Sequence, residues 1–514
     1  MRPAFPRRRT AAAPIAALLA LLLAPGRLPA DGALRLPAIF GDHMVLQAER
    51  GARVWGWDTP GMIVRVGIEP DFAQQLVDLV QNALWRRPTL PVSPAIPLRR
   101  IEFARAKAVC DGSGRWAVTL DAPGAGGPYL LTVDGSGERR LHDVLVGEVW
   151  LASGQSNMEF SLGETVGAGE ALAACEDPGL RLFQAGHAGS QQPQDDLAGS
   201  WRRCDPESAR PFSAAAYFFG RQLRRTLGSA VGLVEASWGG TAIENWIPRP
   251  AMQQVFGDQI VDWQQKHRFQ WVPEPFGTIF NGEIAPLSPF PLRGVLWYQG
   301  EANVAAPERY AGLLWLLVNS WRFVWAQDDL PFIAVQLPNY ADPASPPGEA
   351  RWARLRWAQQ QAMNSLSRTA LVVAVDLGDS HNIHPPSKKP LGRRLADAAL
   401  ALAYGWDLDT SGPRALRPSR SGARLLLPMA HAVGLHLAVR DPASFEVAGA
   451  DGVVRRAQAL VQGSRLSLWS PLVPKPVMAR YDWSDDPPAE LFNGEGLPAA
   501  PFFVRLGPAP KPGF

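Results

Sequence analysis

Gly154-Gln155-Ser156-Asn157-Met158-Glu159 follows the largely apolar run Val144 to Leu151 and sets a serine at the C-terminal end of a predicted strand. A serine hydroxyl is a poor nucleophile until a base removes its proton and N–H donors receive the oxyanion, so this serine demands partners elsewhere. Three further predicted strands end in groups of the required kinds. Val231 to Ala236 runs into Ser237-Trp238-Gly239-Gly240-Thr241, where paired glycines let the backbone present N–H groups to an anion. Gly294 to Tyr298 runs into Gln299-Gly300-Glu301. Thr369 to Val375 runs into Asp376-Leu377-Gly378-Asp379, and His381-Asn382-Ile383-His384-Pro385 follows. These are the types of partner a serine nucleophile needs. A Gly-x-Ser-x-Gly elbow is absent because Met158 follows Asn157, which argues against an ordinary α/β-hydrolase.

These groups meet only if their strands share one edge. Between Val144 and about Tyr404, buried-strand runs (those above and Pro331 to Gln336) alternate with helical segments at Ser213 to Thr226, Glu308 to Trp325, Trp352 to Ser365 and Gly392 to Ala403. Such alternation predicts a mostly parallel sheet covered by helices on both faces, with ligands bound outside the carboxyl ends of the strands. Arg249 to Phe276, rich in Trp and Gln, interrupts the alternation and is placed over that end.

The flanks have a different texture. From Leu36 to about Asp143, short alternating runs such as Trp116 to Leu120 and Tyr129 to Val133 are separated by turn residues and predict a small β domain. Pro70 to Arg100 breaks it as an insertion, helix-like over Phe72 to Trp85 and then proline-rich. After Trp406, runs at Gly422 to Leu427, Leu435 to Val439, Val453 to Val461, Arg465 to Leu468, Ala479 to Tyr481 and Phe502 to Val504 predict a C-terminal β-sandwich. The expected layout is residues 1–30 as a signal peptide, 31–143 as the N-terminal β domain with its insertion at about 70–100, 144–405 as the catalytic domain and 406–514 as the C-terminal β domain.

The chain of 514 residues is long enough for several domains. Its formal charge of +3 is close to neutral at this length and argues against a nucleic-acid surface. Arg2 and Arg7 to Arg9, the apolar stretch Ala11 to Ala24 and Leu28-Pro29-Ala30 form an export-signal pattern, and the apolar run is shorter than the ~20 residues a bilayer span needs. The expectation is a periplasmic or extracellular protein with no membrane span once the signal is cleaved. Cys175 and Cys204 are close enough in sequence to pair, leaving Cys110 alone. No Cys/His spacing resembles a zinc site, and neither metal nor cofactor is expected. The 19 tryptophans supply either core or sugar-stacking platforms.

The strand Val146 to Leu151, Gly154 to Glu159, Trp238-Gly239-Gly240-Thr241, Trp297 to Asn303, Asp376 to Asp379 and Ile383-His384-Pro385 together resemble the sialate O-acetylesterase family, a branch of the SGNH hydrolases. Further matches are Asn281 with Ala285-Pro286-Leu287, Lys388 with Gly392 and Arg394-Leu395, and Arg480-Tyr481 with Gly496-Leu497-Pro498, so the likeness spans nearly the whole mature chain. The resemblance implies an SGNH-hydrolase-like three-layer α/β/α catalytic domain flanked by N- and C-terminal β-sandwich-type domains. It implies a secreted serine esterase acting on an O-acetylated sugar or glycan, with sialate 9-O-acetyl esters first and acetylxylan or another glycan as the alternative. Ser156 is then the nucleophile and His384 the base, and the oxyanion donors are the Ser156 and Gly240 N–H groups with Gln299. The orienting aspartate that many SGNH hydrolases keep three residues before the histidine is replaced by His381. Asp379 is the candidate third member, with Asp376 and Glu301 as alternatives. That missing acid also supports a rival reading, an inactive glycan-binding protein on the same fold. Asn157 and Glu159 are expected to support the site, Lys388 and Arg394 to brace the following helix.

Overall fold

The computed structural model describes residues 33–85, 104–121, 123–257, 276–346 and 348–507. The proposed signal segment and the proline-rich part of the insertion lie outside them; Phe72–Trp85 is a helix, as its pattern predicts.

Strands β1 (Val45–Gln47) to β6 (Gly126–Asp134) form the N-terminal β region, with β2 (Ala52–Trp57), β3 (Ile63–Pro70), β4 (Ala104–Val109) and β5 (Arg115–Leu120) between them. β2 and β5 pair with each other, and β3 bridges β4 and β6. Strand β7 (Glu138–Gly154) then passes from this layer into the middle of the molecule without a break. The boundary expected near residue 143 falls inside that strand, and the N-terminal region and the central sheet share one hydrophobic core. Only the last part of β7 is apolar on both faces, which is why its first residues resemble a turn in sequence.

The remaining strands are β8 (Asp177–Ala185), β9 (Gly199–Cys204), β10 (Ala230–Ser237), β11 (Gly294–Tyr298), β12 (Phe332–Gln336) and β13 (Thr369–Val373). The central sheet has the order β13-β12-β11-β7-β10-β8-β9. All neighbours from β13 to β8 are parallel; β9 alone runs antiparallel to β8 at this edge. Helices Pro307–Val324 and Arg351–Ser365 pack together, and Ala214–Leu227 packs on Lys389–Tyr404. The first pair connects β11, β12 and β13 stepwise in one direction. In the second pair, Ala214–Leu227 leads into β10 and Lys389–Tyr404 follows β13, the last strand of the central sheet.

β8 and β9 are absent from the sequence expectation. Arg181 interrupts the apolar run of β8, yet it is 1% exposed and donates to the Asp143 carboxylate at 2.6 and 3.1 Å. Burial pushes the Asp143 carboxyl up, but His43 and the Arg181 and Arg203 guanidiniums outweigh it and hold the group below the carboxylate range. An internal ion pair thus occupies a strand position where periodicity expects an apolar residue.

The C-terminal region has its own core around Leu425, Leu427, Phe445, Leu466 and Tyr481, enclosed by antiparallel sheets of five and four strands. Arg356, buried in helix Arg351–Ser365, ties it to the central domain by donating to the carbonyls of Pro338, Ser484 and Asp485. Cys175 and Cys204 are buried free thiols and are not joined; Cys110 is also free and buried.

Candidate active site

Strand register puts the functional ends level. In β7, Gly154 lies opposite Ser237 of β10 on one side and Tyr298 of β11 on the other. Ser156, the Gly239-Gly240 turn and Gln299 therefore all emerge at one edge of the sheet. Gly154 has φ +141, and a Cβ there would lie 2.1 Å from the Tyr298 carbonyl oxygen, so only glycine lets β7 leave its neighbour at that point. The backbone then turns at Gln155 into the short helix Ser156–Glu159.

His384 arrives from β13, three strands away, on the loop that precedes helix Lys389–Tyr404. Its Nε2 lies 2.8 Å from Ser156 Oγ. Burial, and then the neighbouring Lys388 charge, push the His384 pKa below the ordinary imidazole value, with Glu164 opposing. The ring is thereby kept neutral and able to take a proton near neutrality.

Among the described residues, the N–H groups of Ser156 and Gly240 donate to no protein acceptor. Gly240 has φ +73, the left-handed conformation glycine adopts without strain. The adjacent Gly239 N–H is taken by Glu159 Oε2 at 2.6 Å, which fixes the turn beside the serine. Free donors at these two positions form the kind of nest that receives an oxyanion.

Gln299 does not fit the donor role expected of it. It is 0% exposed, and its Nε2 donates to Gln155 Oε1, the Thr241 carbonyl and Asn303 Oδ1 at 3.1, 3.2 and 2.8 Å. Its Oε1 accepts from the Tyr310 hydroxyl at 2.8 Å. An amide whose two hydrogens already have three acceptors has none to offer a substrate. Gln299 instead ties the end of β11 to the residue before Ser156.

The three acids weighed as third triad member are also committed elsewhere. Asp379 Oδ1 accepts from the His381 N–H at 2.9 Å, within its own loop. Asp376 is held bidentately by Arg394 at 2.7 and 2.6 Å. Glu301 Oε1 accepts from Asn157 Nδ2 at 2.6 Å. No carboxylate is bonded to His384 Nδ1 among the described residues; the His384 N–H donates to Asn382 Oδ1 at 2.9 Å.

Asn157 carries more than its sequence position suggests. Fully buried, it donates to Glu301 and, at 2.9 Å, to the carbonyl of Ile383, and it accepts from Lys388 Nζ at 2.5 Å. The Lys388 side chain thus turns inward, over the Phe160 and Tyr298 rings at 5.0 and 5.3 Å, rather than bracing the helix it precedes. Burial drives its pKa down to about 7 against the attraction of Glu301, whose own carboxyl burial pushes up. Arg394 does brace its helix, through Asp376 and the Val373 carbonyl. His187 had no sequence signal at all: it stands exposed on the loop after β8, and its Nε2 is 3.0 Å from Glu159 Oε1. Of Arg249 to Phe276, Arg249–Phe256 is helical and residues 258–275 lie outside those described.

Comparisons with known proteins point to carbohydrate esterases. Residues 146–401 match the family model described as carbohydrate esterase, sialic acid-specific acetylesterase. The chain is 27% identical over 491 residues to the sialate O-acetylesterase of Mus musculus, covering 84% of this chain and 85% of that one. It is 28% identical over 448 residues to the Homo sapiens sialate O-acetylesterase, covering 80% and 79%. A crystal structure of a carbohydrate acetylesterase from Xanthomonas citri superposes with a TM-score of 0.80 at 34% identity, covering 92% of this chain and all of that one. With a serine and a histidine in hydrogen-bond contact at the edge of the matched sheet, the chain belongs to the sialic acid-specific acetylesterase family of carbohydrate esterases and is a carboxylic ester hydrolase.

Proposed function

We propose that this esterase removes O-acetyl groups from sugars through an acetyl-serine intermediate on Ser156. The observation that carries the reading is the 2.8 Å contact between His384 Nε2 and Ser156 Oγ beside two unengaged backbone N–H groups. His384 takes the Ser156 proton as Oγ attacks the acetyl carbonyl, and the Ser156 and Gly240 N–H groups receive the oxyanion, each worth about 3 kcal/mol in the transition state. As the tetrahedral intermediate collapses, His384 returns the proton to the departing sugar oxygen. It then deprotonates the water that releases acetate. With no carboxylate bonded to Nδ1 among the described residues, a Ser–His dyad whose histidine is held through its backbone fits the contacts better than a triad through Asp379.

The favoured substrate is a sialate O-acetyl ester, on the names of the mouse and human relatives; acetylxylan or another acetylated glycan is the second reading, since the Xanthomonas citri relative is named only a carbohydrate acetylesterase. The basic and apolar pattern of residues 1–30 supports export to the periplasm or beyond. The unit of catalysis is residues 144–405, with β regions at 31–143 and 406–514 as flanking domains. Release of acetate from 9-O-acetylated sialosides and from acetylated xylo-oligosaccharides, compared for the wild type, Ser156→Ala and His384→Ala, tests the proposal. Turnover that survives Ser156→Ala overturns the mechanism, and release from xylan alone overturns the sialate assignment.

A further inference from the structure

Beside the oxyanion turn, two rings lie face to face. His187 and Trp238 have ring centroids 4.5 Å apart and planes inclined by only 4°. Five of the tryptophans, Trp150, Trp246, Trp297, Trp321 and Trp352, are fully buried and belong to the core. Trp238 is different: it is only partly buried, and what covers it is an imidazole that is itself exposed.

That imidazole is held in place. Its Nε2 lies 3.0 Å from the Ser237 carbonyl oxygen and 3.0 Å from Glu159 Oε1, while the other oxygen of Glu159 accepts the Gly239 N–H at 2.6 Å. The next residue is fixed as well, since the Ala188 N–H donates to the buried Glu283 at 3.1 Å. One carboxylate therefore orients both the ring and the turn beside the serine. One face of the ring lies on Trp238 and its Nε2 is bonded, and the His187 side chain remains 41% exposed.

A pinned, exposed aromatic face is poorly explained by stability, because a surface ion pair is worth little. It is well suited to a ligand with a flat apolar face. Gly239, the residue after Trp238, packs beside the serine: a Cβ there would lie 3.4 Å from Ser156 Cβ. The segment beyond His187 lines an open cleft of about 430 Å³ with Ser190, Gln194 and Gly282. From these contacts we infer that the exposed face of His187, backed by Trp238, is the platform on which the pyranose bearing the acetyl group stacks. The C–H face of the sugar lies on the imidazole, and a ring hydroxyl donates to Nδ1, which is an acceptor when Nε2 holds the proton.

The inference rests on the reading of Ser156 as an acetyl-sugar esterase, and the test separates the two. Acetate release is measured from an acetylated methyl glycopyranoside and from ethyl acetate, which has no ring to stack. Failure of the wild type to hydrolyse either ester counts against the esterase reading. With both hydrolysed, His187→Ala raises KM for the glycoside and lowers its kcat/KM by about three- to tenfold more than that for ethyl acetate, in line with the worth of one aromatic stacking contact. His187→Tyr, which keeps an aromatic face, recovers most of the difference. Equal losses on both esters, or no recovery with tyrosine, overturn the platform and leave His187 a brace for Glu159.

Discussion

Asn157 Nδ2 lies 2.9 Å from the Ile383 carbonyl oxygen. The residue after the serine thus grips the residue before the histidine, across 226 positions of chain. Because Asn157 is also bonded to Glu301 and Lys388, its own place is fixed from two further sides. Asn157→Ala is expected to lower kcat on 4-nitrophenyl acetate by about 10²-fold, the scale for a catalytic group displaced by an ångström. It also leaves buried polar partners unmatched, at about 2–3 kcal/mol of stability. Steady-state kinetics with a denaturant titration checks both. Unaltered kcat in a destabilised variant would sink the positioning role.

Asp379 predicts the opposite. An aspartate that orients a triad histidine is worth about 10⁴-fold in kcat, but the bonded oxygen of this one serves its own loop backbone. Asp379→Ala is expected to reduce kcat by less than about tenfold, while His384→Ala abolishes serine-dependent turnover. Asp376→Ala is expected to act on stability through the lost Arg394 pair. A loss near that of His384→Ala in the Asp379 variant would restore the triad.

The pH profile follows from two lowered pKa values. In the proposed mechanism His384 acts as base only when neutral, so kcat/KM rises with pH through its pKa, which burial and then Lys388 hold below the ordinary imidazole value. Lys388, at about 7, is charged across most of that limb. Lys388→Met removes the repulsion, makes the imidazolium easier to form and moves the acid limb to higher pH. Rates measured between about pH 4.5 and 8 check the direction; an unmoved limb counts against the coupling.

Burial raises the Glu283 carboxyl from 4.5 to about 8, reinforced by Glu159 and Glu235, against the bond from the Ala188 N–H. A carboxyl whose folded pKa is raised binds more protons folded than unfolded between those values. Its contribution is full below pH 4.5 and is lost as pH rises through 8. Glu283→Gln keeps an acceptor for Ala188 and cannot ionise, so it should flatten that fall by about 1–3 kcal/mol. Unfolding midpoints of both proteins at pH 5 and pH 8.5 give the comparison.

The sequence by itself determined the serine, the glycine turn, the histidine and the parallel strands that deliver them, because each depends on local pattern: an apolar run, a glycine pair, a strand end. It also determined the second core after Trp406 through alternation alone. What it left undecided are the relations between side chains from distant segments. Gln299 and Asp379 have the right types at strand ends, but hydrogen bonding is exclusive: an amide satisfied by Gln155, Thr241 and Asn303 has no proton for a substrate. Arg181 in β8 looks polar until Asp143 is brought to it. His187 lies 50 residues from the Ser237 carbonyl it contacts, and no periodicity marks it. Such positions acquire their function from pairwise geometry, which exists only once the sheet has set β7, β8, β10 and β11 side by side.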